Sequence, residues 1–361
     1  MAHKPAICTM SLGRSFAGHS LPYKLTQTKE HGFQGIEVFY EDLIDLTISM
    51  PGGEALIDNQ LAAARSFKNL CEERGLEIIC LQPFMHFGGL IDSEKQEAQI
   101  HDINRWIQLA HTLGTDLICF PSSFLPAPQI TADIDTIVHD LQRAADLGLA
   151  SSPPVRFAYE ALCWGTRIST WEDSWDLVQR VDRENFGICF DTFNIAGRIF
   201  ADPAVKSGKC ENAEEATLQS LKRLVKNVDV KKVFLLQVAD AERLHERLDQ
   251  RHAFHSADQP ARMSWSRNCR LFYGESSHGA YLPVKAVLAA VVRGLGFQGW
   301  LSFEVFNRRL ADRDTSVPEE MAKRASVAWE KMVREVPLDV RPTTTKRATP
   351  VSVQHRLSAM L

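Results

Sequence analysis

Several features are missing from this chain of 361 residues, and each absence narrows the range of functions. No apolar run approaches the roughly 20 residues that a membrane-spanning helix needs, so no membrane segment is predicted. Lysine and arginine (41) nearly balance aspartate and glutamate (45), and the resulting net charge of −4 gives no strong field to attract nucleic acid or anionic lipid. The amino terminus lacks the apolar stretch of a signal peptide, which favours a cytoplasmic protein.

Paired cysteines are missing as well. None of the eight cysteines belongs to a Cys-x-x-Cys pair. Cys8, Cys80, Cys119 and Cys189 lie inside apolar runs, where free cysteine behaves as a small hydrophobic residue. A chain of this length can bury a large core without disulfides. The cysteine pattern therefore indicates a reducing compartment, with the cytoplasm as the default.

The chain does contain eight short apolar runs that alternate with longer segments of helical spacing. Each run is rich in Ile, Val, Phe, Leu or Cys, as in parallel strands that are covered on both faces. Eightfold alternation of strand and helix predicts one closed (β/α)8 TIM barrel over residues 1–336, with an open doubly wound sheet as the alternative. The predicted strands are 6–10, 35–40, 76–81, 115–120, 155–159, 186–190, 232–238 and 300–305.

Two predicted connections are unusually long, namely 192–212 after the sixth strand and 239–282 after the seventh. Long loops at the carboxyl ends of barrel strands usually carry the active site. Residues 337–361 are rich in Arg, Thr, Pro and Ser and have no clear helical period. This composition predicts a flexible carboxyl-terminal tail outside the barrel.

Acidic and amide side chains end four consecutive predicted strands. Glu160, Asp191, Gln237 and Glu304 close the fifth to eighth strands, which are neighbours around half of a barrel. Burial of an unpaired carboxylate has a prohibitive cost in free energy. One shared partner therefore explains these four side chains better than four independent coincidences. Oxygen donors suit a hard divalent ion such as Mg²⁺ or Mn²⁺, whereas zinc more often recruits His or Cys.

Three longer strings carry a resemblance to a known family. They are Gly-Phe-Gln-Gly-Ile-Glu-Val-Phe-Tyr-Glu-Asp-Leu, Tyr-Glu-Ala-Leu-Cys-Trp and Phe-Asp-Thr-Phe-Asn-Ile-Ala-Gly-Arg. They resemble the fungal 3-dehydroshikimate dehydratases of quinate utilisation, which are xylose-isomerase-like barrels, and the similarity covers about residues 5–336. The resemblance implies dehydration of 3-dehydroshikimate to protocatechuate with one divalent metal ion (Mg²⁺, Mn²⁺ or Co²⁺). It places the metal ligands on Glu160, Asp191, Gln237 and Glu304.

One position departs from the wider family. Its bacterial members have a histidine, proposed as acid/base, three residues after the aspartate ligand, whereas this chain has Asn194 there. We expect Asn194 to contact substrate and the base to come from elsewhere. The candidates are Glu37 at the end of the second strand and His19 and His86 after the first and third. A metal-bound hydroxide is the fourth possibility.

The substrate implied by the resemblance carries a carboxylate, which needs a cationic partner. Arg267 is the first candidate, because arginine binds carboxylates through two parallel hydrogen bonds. Ser264 can add a further hydrogen bond. Loss of the proton next to the substrate ketone leaves an enolate, whose negative charge a metal ion stabilises.

Other functions remain open. A sugar or inosose isomerase, epimerase or dehydratase would use the same barrel and metal but bind neutral hydroxyls, so Arg267 separates the two hypotheses. An abasic-site endonuclease shares the fold but needs a histidine-rich cluster of three zinc ions, which the strand ends lack. Four intact ligands argue against a metal-free regulator. The expected partner is the small molecule 3-dehydroshikimate, without nucleic acid or membrane, and the oligomeric state is left open.

Overall fold

The computed structural model describes residues 3–340. In this range the chain forms ten strands: β1 (Lys4–Cys8), β2 (Gly35–Phe39), β3 (Glu77–Gln82), β4 (Leu117–Pro121), β5 (Arg156–Glu160), β6 (Phe186–Asp191), β7 (Val233–Val238), β8 (Asp240–Ala241), β9 (Arg270–Leu271) and β10 (Trp300–Phe303). Strands β1–β7 and β10 are parallel and close into a barrel, in which β10 pairs with both β7 and β1. The predicted (β/α)8 barrel is confirmed, and every predicted strand lies within two residues of its predicted bounds.

Helices follow the barrel strands and cover the outside of the barrel. Within the described residues they are α1 (Leu21–Glu30), α2 (Tyr40–Asp45), α3 (Ile57–Glu72), α4 (Ser93–Leu113), α5 (Ile134–Ala150), α6 (Trp171–Val181), α7 (Thr192–Ile199), α8 (Ala213–Asn227), α9 (Ala261–Cys269), α10 (Val284–Ala289) and α11 (Val317–Glu335). None of them is long and apolar enough to cross a bilayer.

Strand residues are buried on both faces, as the apolar runs predict. Every position of β4 and β6 is buried, because helices cover the outward side chains and the barrel interior encloses the others. Inside the barrel, Cys80, Cys119 and Cys189 pack with small and branched apolar residues. All three are free thiols, so the predicted role of these cysteines as small core residues is confirmed.

The two long connections are partly ordered into secondary structure. The connection after β6 contains α7, and the connection after β7 contains α9 and the antiparallel pair β8–β9. The fully buried Trp265 anchors α9, since its indole nitrogen donates to the carbonyl of Glu242 at 2.9 Å and its ring packs on Phe193. The α9 helix is thereby fixed over the carboxyl end of the barrel.

Helix α11 ends at Glu335, and Val336 caps it. The predicted tail begins at residue 337. Residues 337–340 form no helix or strand, and the remainder of the predicted tail, 341–361, lies outside the described residues.

Candidate active site

Three buried carboxylates meet at the carboxyl end of the barrel. Glu160 and Asp191 are the last residues of β5 and β6, and Glu304 directly follows β10. One carboxylate oxygen of each lies within 4.8 Å of the other two. Within residues 3–340 no other group of three His, Cys, Asp or Glu side chains is close enough to share a metal ion. The structure therefore brings together three of the four predicted metal ligands through barrel closure alone.

Burial makes this group electrostatically unusual. It raises the pKa of Glu160 well above its ordinary value, and the charges of Glu304 and Asp191 raise it further. Burial also raises the pKa of Glu304 to about 7, although the nearby Arg270 opposes the shift. Carboxylates held this close together away from water require cations if all of them are to be ionised.

Arg270, which sequence analysis did not single out, lies directly among these carboxylates. Its Nη1 donates to Asp191 Oδ2 at 2.8 Å and to Glu304 Oε2 at 3.1 Å, and its Nε donates to Ser266 Oγ at 2.9 Å. The guanidinium is 1% exposed and lies 4.2 Å from the ring centroid of Phe193. Three carboxylates and one guanidinium leave two negative charges, which one divalent cation would neutralise.

Glu37 and two glutamines form a hydrogen-bonded layer beside the carboxylates. Gln237 Nε2 and Gln82 Nε2 both donate to Glu37 Oε2, at 2.8 and 2.9 Å, while Cys189 donates its thiol to Gln237 Oε1 at 3.4 Å. Burial raises the pKa of Glu37 well above its ordinary value, and the charge of Glu304 adds to the rise. Glu37 is 0% exposed, so its carboxylate is enclosed by the protein and accepts hydrogen bonds from the two glutamine amides.

Asn194 is also occupied by the protein. Its Nδ2 donates to Glu160 Oε1 and to Asp191 Oδ2, both at 2.7 Å, and its Oδ1 accepts from the backbone N–H of Cys163 at 3.0 Å. All of its hydrogen-bonding groups are engaged. Asn194 therefore has no free N–H group for the expected contact with substrate. Its amide instead orients the carboxylates of Glu160 and Asp191.

A cavity of about 380 Å³ opens above this group. Its polar lining consists of Arg14, Gln82, Glu160, Ser266, Arg267, Arg270 and Glu304, and its apolar lining includes Phe39, Met85, Phe124, Trp164 and Phe306. A larger groove of about 1150 Å³ lies between the connections after β7 and β10, but it contains none of the three carboxylates. The smaller cavity is therefore the candidate active site.

Arg267 lines this cavity as predicted for a carboxylate-binding residue, whereas Ser264 does not. The exposed Arg267 side chain makes no hydrogen bond or ion pair with any residue of the range 3–340, while Arg14 beside it is paired with Glu41. Partial desolvation of the guanidinium and the charge of Arg14 lower the pKa of Arg267, while the charge of Asp258 opposes the shift, so an anion bound in the cavity would stabilise the charged form of Arg267. Ser264 is buried against Gln259.

Neither candidate histidine is part of the cavity lining among the described residues. His19 is buried, and its Nε2 lies 2.7 Å from the carbonyl oxygen of Asp312, so it joins the connections after β1 and β10. His86 follows the lining residue Met85, and its ring packs edge-on against Phe124. Its Nδ1 lies 3.2 Å from Ser123 Oγ, and burial lowers the pKa of His86.

Comparison with known proteins places the chain in a family. Residues 25–330 match the model of the xylose isomerase-like TIM barrel. The chain belongs to this family. A protein of Neurospora crassa named 3-dehydroshikimate dehydratase is 53% identical over 94% of this chain and 96% of its own length. The resemblance to the fungal enzymes is therefore confirmed.

Three more distant matches differ in how much of their own length this chain covers. The 3-dehydroshikimate dehydratase of Pseudomonas aeruginosa is 30% identical over 84% of this chain, which spans only 38% of that protein. A xylose isomerase-like TIM barrel/4-hydroxyphenylpyruvate dioxygenase fusion protein superposes with a TM-score of 0.68 at 24% identity, covering 98% of this chain and 47% of that one. The IOLI protein, solved with a zinc atom, gives 0.62 at 19% identity, covering 91% and 98%. At these identities the two structures establish the fold alone.

Proposed function

We propose that this xylose isomerase-like barrel is a metal-dependent 3-dehydroshikimate dehydratase, which forms protocatechuate and water in cytoplasmic quinate catabolism. The observation that carries the proposal is the buried group of Glu160, Asp191 and Glu304 beneath a cavity that also presents the unpaired Arg267. The name and the 53% identity of the Neurospora crassa relative support the choice of substrate.

The donor set fits one hard divalent ion. Carboxylate oxygens of Glu160, Asp191 and Glu304 would hold it, as Mg²⁺, Mn²⁺ and Co²⁺ accept such ligands. Gln237, the fourth proposed ligand, would contribute an amide oxygen that here accepts a hydrogen bond from the Cys189 thiol. The ion would neutralise the two negative charges that remain after Arg270 is counted. Bound there, it would supply a Lewis acid for the charge that develops on the ketone oxygen when the neighbouring proton is removed.

The substrate carboxylate then needs a cation of its own. Arg270 is occupied by Asp191 and Glu304, and Arg14 is occupied by Glu41. Arg267 is left to form the two parallel hydrogen bonds that a carboxylate accepts. A cavity of about 380 Å³ is within the range of small-molecule sites.

We propose that His86 accepts the proton. It is not itself a lining residue but adjoins the cavity, since it follows Met85 and its ring packs against Phe124, both of which line the cavity. Its Nδ1 lies near Ser123, and its Nε2 has no partner among the described residues. Because burial lowers the pKa of His86, the ring is neutral near pH 7 and able to accept a proton. His19 is bound to a backbone carbonyl, and Glu37 and Asn194 are placed to orient the ligand set, so we propose positioning roles for these three residues.

The decisive experiment is incubation of the purified protein with 3-dehydroshikimate while the absorbance of protocatechuate is followed. Product should form with Mg²⁺, Mn²⁺ or Co²⁺ and should stop when Glu304→Gln removes a ligand charge. A matched control is Glu77→Gln, which changes an exposed carboxylate at the opposite end of the barrel. Turnover of a neutral inosose or ketose without any turnover of 3-dehydroshikimate would replace this proposal with an isomerase or epimerase.

A further inference from the structure

Gln82 is a polar residue of the cavity whose orientation is determined by its neighbours. It is the last residue of β3, is 3% exposed and lines the cavity beside Glu304. Its single Nε2 donates to Glu37 Oε2 and to Glu304 Oε1, each at 2.9 Å. A primary amide nitrogen carries two hydrogens, and both have acceptors here. The nitrogen end of the amide is therefore fully used by the protein.

The opposite orientation of this amide is unfavourable. A flipped amide would place Oε1, which only accepts, against two carboxyl oxygens, and two hydrogen bonds to carboxyl groups would be lost. Gln82 Oε1 accepts no hydrogen bond from any residue in the range 3–340. The cavity thus presents a fixed acceptor next to the proposed metal ligand Glu304.

A fixed acceptor selects a ligand that donates. In 3-dehydroshikimate the carboxylate and the ketone only accept, so one of the two hydroxyls must be the donor. The departing hydroxyl has to gain a proton to leave as water, which an acceptor cannot supply. We propose that Gln82 accepts a hydrogen bond from the hydroxyl that the product retains, next to the ketone, and so selects substrates that carry it. This inference rests on the proposed function and deepens it.

The test compares 3-dehydroshikimate with the analogue that lacks the retained hydroxyl. The analogue still aromatises by losing one water and gives 3-hydroxybenzoate, so both reactions are followed by absorbance. The wild-type preference in kcat/KM should fall about tenfold in Gln82→Met, the loss expected when one hydrogen bond is removed. Met85→Leu, at a cavity residue whose side chain has no N–H, O–H or carbonyl group, should keep the wild-type preference whatever its overall rate.

A second variant separates the oxygen of Gln82 from its nitrogen. Gln82→Lys retains donors toward Glu37 and Glu304 but offers no acceptor, so it should lose the same preference. Binding provides a readout that is independent of turnover and of metal chelation. In metal-free protein, calorimetry should show tighter binding of 3,4-dihydroxybenzoate than of 3-hydroxybenzoate, and both Gln82 variants should abolish the difference.

A preference that persists in both variants would overturn the inference and leave Gln82 with a structural role. Failure of the wild-type protein to bind either benzoate, or to distinguish between them, would overturn it too. If the wild-type protein does not convert 3-dehydroshikimate, the proposed function fails on its own. In that case the binding comparison in metal-free protein still decides whether Gln82 recognises a ring hydroxyl.

Discussion

Removal of Arg270 should test whether its guanidinium compensates the buried carboxylates. Its Nη1 is the cation nearest to Asp191 and Glu304, at 2.8 and 3.1 Å, and all three side chains are almost fully buried. Loss of one partner from a buried ion pair typically costs about 3–5 kcal/mol, because the remaining charge is left uncompensated. With an unfolding entropy of about 2.1 cal/mol/K per residue, this cost lowers the thermal midpoint of Arg270→Gln by about 4–7 °C.

The loss of stability in Arg270→Gln should also depend on pH. The pKa of Glu304, which burial already raises to about 7, should rise further once Arg270 is absent. A folded-state pKa above the unfolded value of about 4.3 means that the folded protein binds more protons, so its stability falls as pH rises. The deficit of Arg270→Gln relative to the wild-type protein should therefore be larger at pH 8 than at pH 5.

Calorimetric melting of metal-free protein at the two pH values measures this effect. Arg267→Gln is the matched control, since Arg267 lines the same cavity but is exposed and unpaired, so its free energy of unfolding should change by no more than about 0.5 kcal/mol. Saturating Mn²⁺ should reduce the difference in melting midpoint between Arg270→Gln and the wild-type protein, because the ion supplies positive charge to the carboxylates. Equal midpoints for Arg270→Gln and wild type at both pH values would refute the electrostatic account.

Three further predictions follow from the site. Chelation should abolish dehydratase activity, Mg²⁺, Mn²⁺ or Co²⁺ should restore it, and the melting midpoint should rise with metal concentration; full activity in a preparation shown to be metal-free would exclude the ligand assignment. Arg267→Lys should lower kcat/KM for 3-dehydroshikimate at least tenfold but hardly affect an analogue without the carboxylate, and wild-type kinetics would favour the isomerase hypothesis. His86→Gln should remove an acid limb of kcat/KM that lies below pH 6.5, since burial lowers the pKa of His86. His19→Gln should lower kcat/KM by less than tenfold. If His86→Gln also lowers kcat/KM by less than tenfold, His86 is excluded as the base.

The sequence determined the barrel and the grouping of the carboxylates. Eight apolar runs of strand length, separated by helical segments, leave few arrangements other than a closed parallel sheet. In such a sheet consecutive strands are neighbours and all their carboxyl ends face one way. Chain order alone therefore brings Glu160 next to Asp191, and closure of the barrel adds Glu304 from the last strand.

Arg270 and Gln82 needed the tertiary structure. In the stretch Met263–Arg270 two arginines lie three residues apart, and no local pattern tells which one enters the carboxylate group. That choice depends on how the connection after β7 folds back, with β8 paired to β9 and α9 anchored through its residue Trp265 to the carbonyl of Glu242. Gln82 resembles any strand-end amide in the sequence until Glu37 and Glu304 approach it.

Proton-transfer residues were the hardest to identify from the sequence, because their surroundings are also set by how distant segments fold together. A histidine near a strand end, such as His19, serves equally well as a base or as a partner for a backbone carbonyl, and the difference is set by contacts from a connection almost three hundred residues away. Strand ends are ordered by hydrogen bonds between neighbouring strands, which the sequence pattern encodes. The connections above the barrel are ordered by packing between distant segments, and only the folded chain decides which of their side chains reach the cavity.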